Sequence, residues 1–350
     1  MAVKFPNKII MNNIKLLDCT LRDGGYINDW RFGIDAIKNI ENLIINSNID
    51  IFEIGFLKDE TYTQERTVFN SVKQISDIIK PKKDSVSYAC MIEAAIDPFP
   101  LNKLDRWSEG SVDIIRAMVW KRLLHEGFDY CKSIIDKGYK LCVQPVRVDQ
   151  YTHKEFTDMI ELFNKIDPMA VYVVDSWGTQ NKKSLMEYLK IAHKNLKPGI
   201  ALGYHGHNNL MQAFGVAESF IEYGFERDII IDGSVYGIGR GAGNLNIELF
   251  VQYLNDNYAK DYKTVPLLAV YEQYLKPLYI KSPWGYSLPL YLTAIYNCNP
   301  EYATYYGQEL GLDVLSINNI LNIISTDDKV QFKKETADLY LTEYQAKVGL

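Results

Sequence analysis

The feature that most constrains the fold is a short apolar run, rich in β-branched residues, that recurs eight times along the chain. The runs are continuous rather than alternating, which is typical of strands buried on both faces of a sheet. They occupy residues 16–21, 51–56, 85–92, 112–120, 139–148, 170–178, 200–209 and 229–239. Segments with apolar residues at helical spacing lie between most of them, as at 34–45 and 184–196. This alternation of strand and helix predicts a parallel sheet.

The number of runs distinguishes between two parallel architectures. Eight strands over about 240 residues match an α/β fold of the (β/α)₈ TIM-barrel type in count and size. A doubly wound open sheet is the alternative. We therefore expect a closed barrel.

The character of the sequence changes after Asn255. The remainder is rich in tyrosine, and proline residues separate several short segments with helical periodicity. We predict a TIM-barrel catalytic domain at 1–255 and a C-terminal helical region at 256–350, packed on or beside the barrel.

Charge and cysteine usage exclude several classes of partner. The 350 residues carry a net charge of −6, without a basic patch that would bind nucleic acid. Apolar stretches are interrupted by proline and asparagine, so we expect no membrane span. The five cysteines are scattered and form no CxxC motif, which suits the reducing cytoplasm. A cytoplasmic location is therefore expected, and a homodimer is left open.

Two histidines stand at the predicted end of the seventh strand, in His205-Gly206-His207. Residues i and i+2 of a strand point to the same face, so both imidazoles can bind one cation. The alternative is that both histidines are only polar residues of a loop. Because the chain has only five histidines, a chance pair at a strand end is less expected. We predict a metal site here.

A second polar motif follows the first strand, in the segment Thr20-Leu21-Arg22-Asp23-Gly24-Gly25. Strands 1, 7 and 8 of a closed barrel are near neighbours, so Asp23 can reach His205 and His207. The three side chains would form a His₂Asp set with open positions for water or substrate. Arg22 would place a permanent cation beside the metal. A helix-capping Asp23 with a surface arginine is the structural alternative.

Other candidates lie near the ends of further strands. The glycine-rich loop 232–244 follows the eighth strand and does not fit the dinucleotide-binding pattern GxGxxG. Its Asn244 could be a further metal ligand or the N-cap of the next helix. Gln144 and Ser176 could contact substrate or serve only the structure of the barrel mouth.

These motifs together resemble those of a known group. TLRDGG after strand 1, HGHNN after strand 7 and GRGAGN after strand 8 are similar to motifs of the DRE-TIM metallolyase superfamily. That superfamily includes 3-hydroxy-3-methylglutaryl-CoA lyase, 4-hydroxy-2-oxovalerate aldolase and the isopropylmalate and homocitrate synthases. TLRDGG, VDSWG and GIGRGAGN most resemble the 4-hydroxy-2-oxovalerate aldolase branch.

The resemblance implies roles for individual residues. Asp23, His205 and His207 would hold a divalent metal, Mg²⁺ or Mn²⁺, and Asn244 matches a ligand of the lyase branch. Arg22 would be the catalytic arginine, and Ser176 would lie near the substrate keto acid. The implied activity is a metal-dependent aldolase or lyase that makes or cleaves a carbon–carbon bond between a 2-oxo acid, such as pyruvate, and an aldehyde.

The sequence departs from the family pattern at two positions. Val235 stands where the hydroxymethylglutaryl-CoA lyases carry a catalytic cysteine, which argues against that activity. Tyr26 stands where the aldolases carry a histidine base, so Tyr26 is the candidate for proton transfer. Two other functions stay open: an acetyl-CoA-dependent Claisen acyltransferase, and a non-catalytic barrel that binds a metabolite.

Overall fold

The computed structural model describes residues 14–349, so the first thirteen residues of the predicted barrel domain and residue 350 lie outside the described part. Eight parallel strands close into a barrel because β1 pairs with β8 on one side and with β2 on the other. They are β1 (Ile14–Asp18), β2 (Ile51–Leu57), β3 (Ser87–Glu93), β4 (Ile114–Trp120), β5 (Lys140–Val146), β6 (Ala170–Asp175), β7 (Ala201–Gly206) and β8 (Ile229–Gly233). The predicted TIM barrel is confirmed, and the doubly wound alternative is wrong.

The barrel interior changes from apolar to charged along the strands. Aliphatic residues fill its lower part, among them Ile51, Ile114 and Ile230. Two residues further along the same three strands, and therefore on the same face, lie Glu53, Arg116 and Asp232, all buried. Charged side chains inside a barrel need partners, and here they lie next to the end at which barrel enzymes place their sites.

Helices cover most of the barrel. Those within the strand-bearing part are α1 (Thr20–Asp23), α2 (Gly25–Asn28), α3 (Ile34–Asn46), α4 (Val72–Ile78), α5 (Leu124–Asp136), α6 (His153–Phe163), α7 (Lys182–Asn195), α8 (Ala213–Glu222) and α9 (Ile247–Tyr258). The connection between β3 and β4 contains no helix. A two-residue strand, Val68–Phe69, adds to β2 outside the barrel ring.

The C-terminal part of the described chain is helical, as predicted. It contains α10 (Thr264–Val270), α11 (Lys276–Lys281), α12 (Leu288–Ile295), α13 (Glu301–Ala303), α14 (Val314–Ile323) and α15 (Lys334–Val348), with π-helical turns at Tyr271–Leu275 and Thr304–Glu309. Leu267 and Leu275 pack into the barrel core, whereas Tyr302, Tyr306 and Tyr340 belong to a separate small core. The boundary at 255/256 falls near the end of α9 and stays a prediction. Among residues 14–349, no helix is long and apolar enough to cross a bilayer.

Candidate metal centre and active site

Asp23, His205 and His207 meet at the C-terminal end of the barrel. One ligand-type atom from each lies within 4.8 Å of the others, and all three side chains are buried. Asp23 ends the single-turn helix α1 directly after β1, His205 lies in β7, and His207 follows β7. The structure thus brings together the three residues that the sequence singled out as ligands.

The hydrogen bonds of the two histidines use Nδ1 in each ring and leave Nε2 free for this site. His205 Nδ1 lies 3.0 Å from Asp232 Oδ2, and His207 Nδ1 lies 3.0 Å from the carbonyl oxygen of Arg240. A carboxylate and a carbonyl only accept, so each Nδ1 carries the proton. Each Nε2 therefore keeps a free lone pair, which is the arrangement found in metal-binding histidines.

The protonation states also suit metal binding. Burial lowers the pKa of His207 to about 4, so its imidazole is neutral at neutral pH. Burial alone would raise the pKa of Asp23, but the Arg22 cation and the two histidines hold it well below its usual value. A carboxylate and two neutral imidazoles are the ligand forms that a divalent cation requires.

Asn244 lies directly beside Asp23. Its Nδ2 donates to Asp23 Oδ2 at 2.6 Å, while its Oδ1 is buried and has no hydrogen-bond partner among the described residues. The N-cap alternative for Asn244 is wrong, because helix α9 begins at Ile247 and its N-cap is Asn246. An unpartnered amide oxygen beside a carboxylate and two imidazoles fits a hard or borderline divalent cation.

Arg22 is a buried cation next to these residues. Its Nη1 lies 2.5 Å from Asp23 Oδ1 and its Nε donates to Glu53 Oε2 at 2.8 Å. Trp30 Nε1 donates to the carbonyl oxygen of Arg22 at 2.7 Å and anchors the turn. The remaining nitrogen, Nη2, is buried and has no partner among the described residues. A donor is thus left free beside the candidate metal site.

Two glycines allow the backbone to approach this site closely. A Cβ on Gly25 would collide with the Trp30 ring that anchors Arg22. A Cβ on Gly239 would overlap Asn244 Nδ2 and come within 2.5 Å of Asp23 Oδ2. The loop after strand 8 therefore packs closely on the side chains of Asp23 and Asn244, and the turn after strand 1 packs closely on Trp30.

Tyr26 lies at the rim of the site. Its side chain is 41% exposed. The Arg240 guanidinium lies 5.5 Å from its ring centroid, and the Trp30 ring lies 4.8 Å away. Desolvation raises the pKa of Tyr26 from its usual value and outweighs the opposing effect of Arg240. The phenol is therefore protonated at neutral pH.

Ser176 and Gln144 lie at the same end of the barrel. The Ser176 Oγ accepts a hydrogen bond from the Arg147 amide at 2.9 Å, and Gln144 Nε2 is buried without a partner among the described residues. The hydrogen bonds of residues 14–349 do not link either side chain to Asp23 or the two histidines. Both roles stay predictions.

Sequence reasoning missed Arg116 and the ion pairs that it forms beneath the site. Arg116 is fully buried and pairs with Glu53 and Asp232, and Arg147 pairs with Asp149 above the strand ends. The signal was present, because Arg116 interrupts an apolar strand and a charge there must be paired. Its partners lie 63 and 116 positions away, so they could not be identified from the sequence.

Comparisons with known proteins identify similar chains and a similar fold. Residues 121–270 match the HMGL-like family model. A 4-hydroxy-2-oxovalerate aldolase of Bacillus cereus is 22% identical, over 76% of each chain. An oxaloacetate decarboxylase of Mycobacterium tuberculosis is 23% identical, over 68% of this chain and 69% of that protein. The N-terminal domain of an aldolase candidate from Bacteroides vulgatus superposes with a TM-score of 0.69, at 24% identity, over 83% of this chain and 96% of that one. The likeness to the HMGL-like family model and to 4-hydroxy-2-oxovalerate aldolases agrees with the sequence motifs that resemble those of the DRE-TIM superfamily.

Proposed function

We propose that this protein is a divalent-metal-dependent lyase that makes or cleaves a carbon–carbon bond of a 2-oxo acid, with an aldehyde as the other reactant. The convergence of Asp23, His205 and His207 beside the buried Arg22 cation carries the proposal. The similarity to 4-hydroxy-2-oxovalerate aldolases supports the aldol reaction as its particular form.

The residues divide the work between binding and charge stabilisation. Asp23, His205, His207 and Asn244 would hold the cation, which when bound supplies a Lewis acid for the keto group of the substrate. Arg22 is already fixed by Glu53 and Asp23, so its cation stabilises negative charge on the enolate oxygen without reorganising.

Further contacts select and orient the substrate. The Ser176 hydroxyl proton is not needed for the bond from the Arg147 amide, so the hydroxyl can donate to the substrate carboxylate. Gln144 offers a buried amide donor without a partner among residues 14–349. A small anionic keto acid suits a pocket with these donors and the Arg22 charge.

Tyr26 is the proposed proton carrier. Its raised pKa keeps the phenol protonated, so it is better prepared to donate a proton than to take one. Donation to the new hydroxyl oxygen serves the aldol direction, whereas in cleavage the phenolate form of Tyr26 would take that proton back.

Decarboxylation of a 2-oxo acid is a second candidate, favoured by the similarity to an oxaloacetate decarboxylase. Both reactions pass through the enolate of pyruvate, so they make the same demand on Arg22. They differ in the bond that breaks. Release of CO₂ from oxaloacetate, compared with release of aldehyde from a 4-hydroxy-2-oxo acid, distinguishes the two.

Deuterium exchange into the methyl group of pyruvate tests the proposal. We expect exchange when Mn²⁺ or Mg²⁺ is present, and proton NMR measures its rate. Arg22→Met should lower the exchange rate at least about 100-fold, because the enolate charge is no longer stabilised. Arg227→Lys is the matched control, since Arg227 caps backbone carbonyls at the opposite end of the barrel. If the metal-replete protein enolises no 2-oxo acid, the proposal fails. Thiol release from acetyl-CoA would instead favour the acyltransferase.

A further inference from the structure

A continuous chain of buried charges connects Arg22 with His205 through the barrel interior. Arg22 Nε and Arg116 Nη1 both donate to Glu53 Oε2, at 2.8 and 2.6 Å. Arg116 Nη2 donates to Asp232 Oδ2, the same oxygen that accepts from His205 Nδ1 at 3.0 Å. Arg116 is the central member, because it alone among residues 14–349 forms ion pairs with both carboxylates.

The position of Arg116 leaves its guanidinium little freedom. The side chain is completely buried in the middle of β4 and lies over the Tyr172 ring, 5.0 Å from its centroid. A buried cation is tolerated only when its charge is compensated, and Glu53 and Asp232 provide that compensation from opposite sides. The planar fork of an arginine can bridge two such carboxylates, whereas an ammonium group is a single point.

The two nitrogens of this fork act on different functional groups, Arg22 and His205. Through Glu53, Arg116 fixes the carboxylate that holds Arg22 Nε and so determines where the unpartnered Arg22 Nη2 points. Through Asp232, Arg116 fixes the carboxylate that holds His205 Nδ1–H and so leaves His205 Nε2 available to the metal site. Groups of this kind behind a metal ligand change metal affinity about 10–100-fold when they are altered.

We propose that Arg116 is a positioning residue that simultaneously orients the catalytic arginine and one metal ligand. The Arg22 half of this inference rests on the proposed function, whereas the His205 half concerns metal binding alone. Arg116 thereby couples two halves of one site, of which one lies in α1 and the other in β7.

Arg116→Lys is the direct test, because it keeps the charge and loses the fork. We expect the Kd for Mn²⁺, measured by calorimetry without substrate, to rise at least 10-fold, and the electron paramagnetic resonance signal of bound Mn²⁺ to change. We also expect kcat for deuterium exchange to fall at least 10-fold, with a smaller change in KM. Arg227→Lys should leave both quantities within twofold of wild type.

Two variants, each at one carboxylate, keep the inference testable if Arg116→Lys does not fold. Asp232→Asn should weaken Mn²⁺ binding at least 10-fold, whereas Glu53→Gln, which reaches the metal ligands only through Arg22 and Arg116, should lower kcat and weaken Mn²⁺ binding less. The inference is overturned if folded Arg116→Lys binds Mn²⁺ with wild-type affinity, or if Glu53→Gln and Asp232→Asn affect metal binding equally. If wild type binds Mn²⁺ but exchanges no 2-oxo acid, the proposed function fails while the Mn²⁺ comparison still decides the His205 half.

Discussion

At the scale of single residues, the candidate site depends on which atoms are protonated. The bond from His207 Nδ1 to the Arg240 carbonyl and the low pKa of His207 both leave its Nε2 lone pair free. The low pKa of Asp23 keeps its carboxylate charged. The site is therefore in its metal-binding form before any cation arrives, which limits the cost of assembling it.

Removing the carboxylate should abolish tight metal binding. We expect Asp23→Asn to weaken Mn²⁺ binding by more than about 100-fold, beyond the effect of altering a group behind a ligand. Calorimetry measures this, and the exposed Asp35→Asn in α3 is the control. Unchanged metal binding in Asp23→Asn would place the metal elsewhere.

The buried histidine also predicts acid sensitivity of the metal-free protein. The pKa of His207 is about 4 in the folded chain against about 6.5 when unfolded. The unfolded state therefore binds the proton first, and stability is lost as pH falls from about 6.5 towards 4, by at most about 1.4 kcal/mol per pH unit. Urea unfolding at pH 7 and pH 5 in the presence of EDTA should show a smaller loss for His207→Gln. An equal loss in both proteins would contradict the assignment.

At the scale of elements, the loop after β8 positions the ligands that the strands do not carry. It brings Asn244 to Asp23 and supplies the Arg240 carbonyl to His207. The loop can approach this closely because Gly239 has no side chain. Gly239 therefore allows this loop to pack against Asp23 of the motif after β1.

A methyl group at this point should disturb the site more than the fold. We expect Gly239→Ala to weaken Mn²⁺ binding about 10-fold, because the loop must move away from Asp23 and Asn244. Gly215→Ala is the matched control, since a Cβ there meets no atom within 4 Å and helix α8 should gain about 0.5–1 kcal/mol. Calorimetry and thermal melting compare the two. Wild-type metal affinity in Gly239→Ala would show that the loop tolerates the methyl group.

At the scale of the whole molecule, the C-terminal helices lie against the mouth of the barrel. Arg240 Nη2 lies 2.7 Å from Glu301 Oε1, and Arg147 Nη2 donates to Asn297 Oδ1 at 2.9 Å. Trp284 Nε1 donates to the carbonyl oxygen of Tyr236 at 2.9 Å. The two regions are thus joined next to the candidate site rather than at a remote surface.

Loss of Trp284 should weaken this junction. Trp284 is buried in the barrel core, so we expect Trp284→Ala to lower the free energy of unfolding by about 3–5 kcal/mol. Tyr286→Ala, two residues away and half-exposed, should change it by less than about 0.5 kcal/mol. Urea denaturation measures both. Similar values for the two variants would show that the junction contributes little to stability.

The parts that could be predicted from the sequence share a physical reason. A strand buried on both faces must be apolar throughout, so the eight runs and their order were visible as patterns of neighbouring residues. The HxH pair was also visible locally, because residues i and i+2 of a strand point to the same face. Asp23 could be added because closure of a barrel makes its first and last strands neighbours.

The sequence by itself therefore determined the barrel, the helical C-terminal part and the candidate ligands Asp23, His205 and His207. Only the tertiary structure decided which nitrogen each histidine presents, that Asn244 is no helix cap, and that Arg116 bridges Glu53 and Asp232. These features depend on contacts between residues far apart in the sequence, such as the 116 positions that separate Arg116 from Asp232. Periodicity reports which face a side chain occupies, but the partner it meets there is set by the register and closure of the sheet.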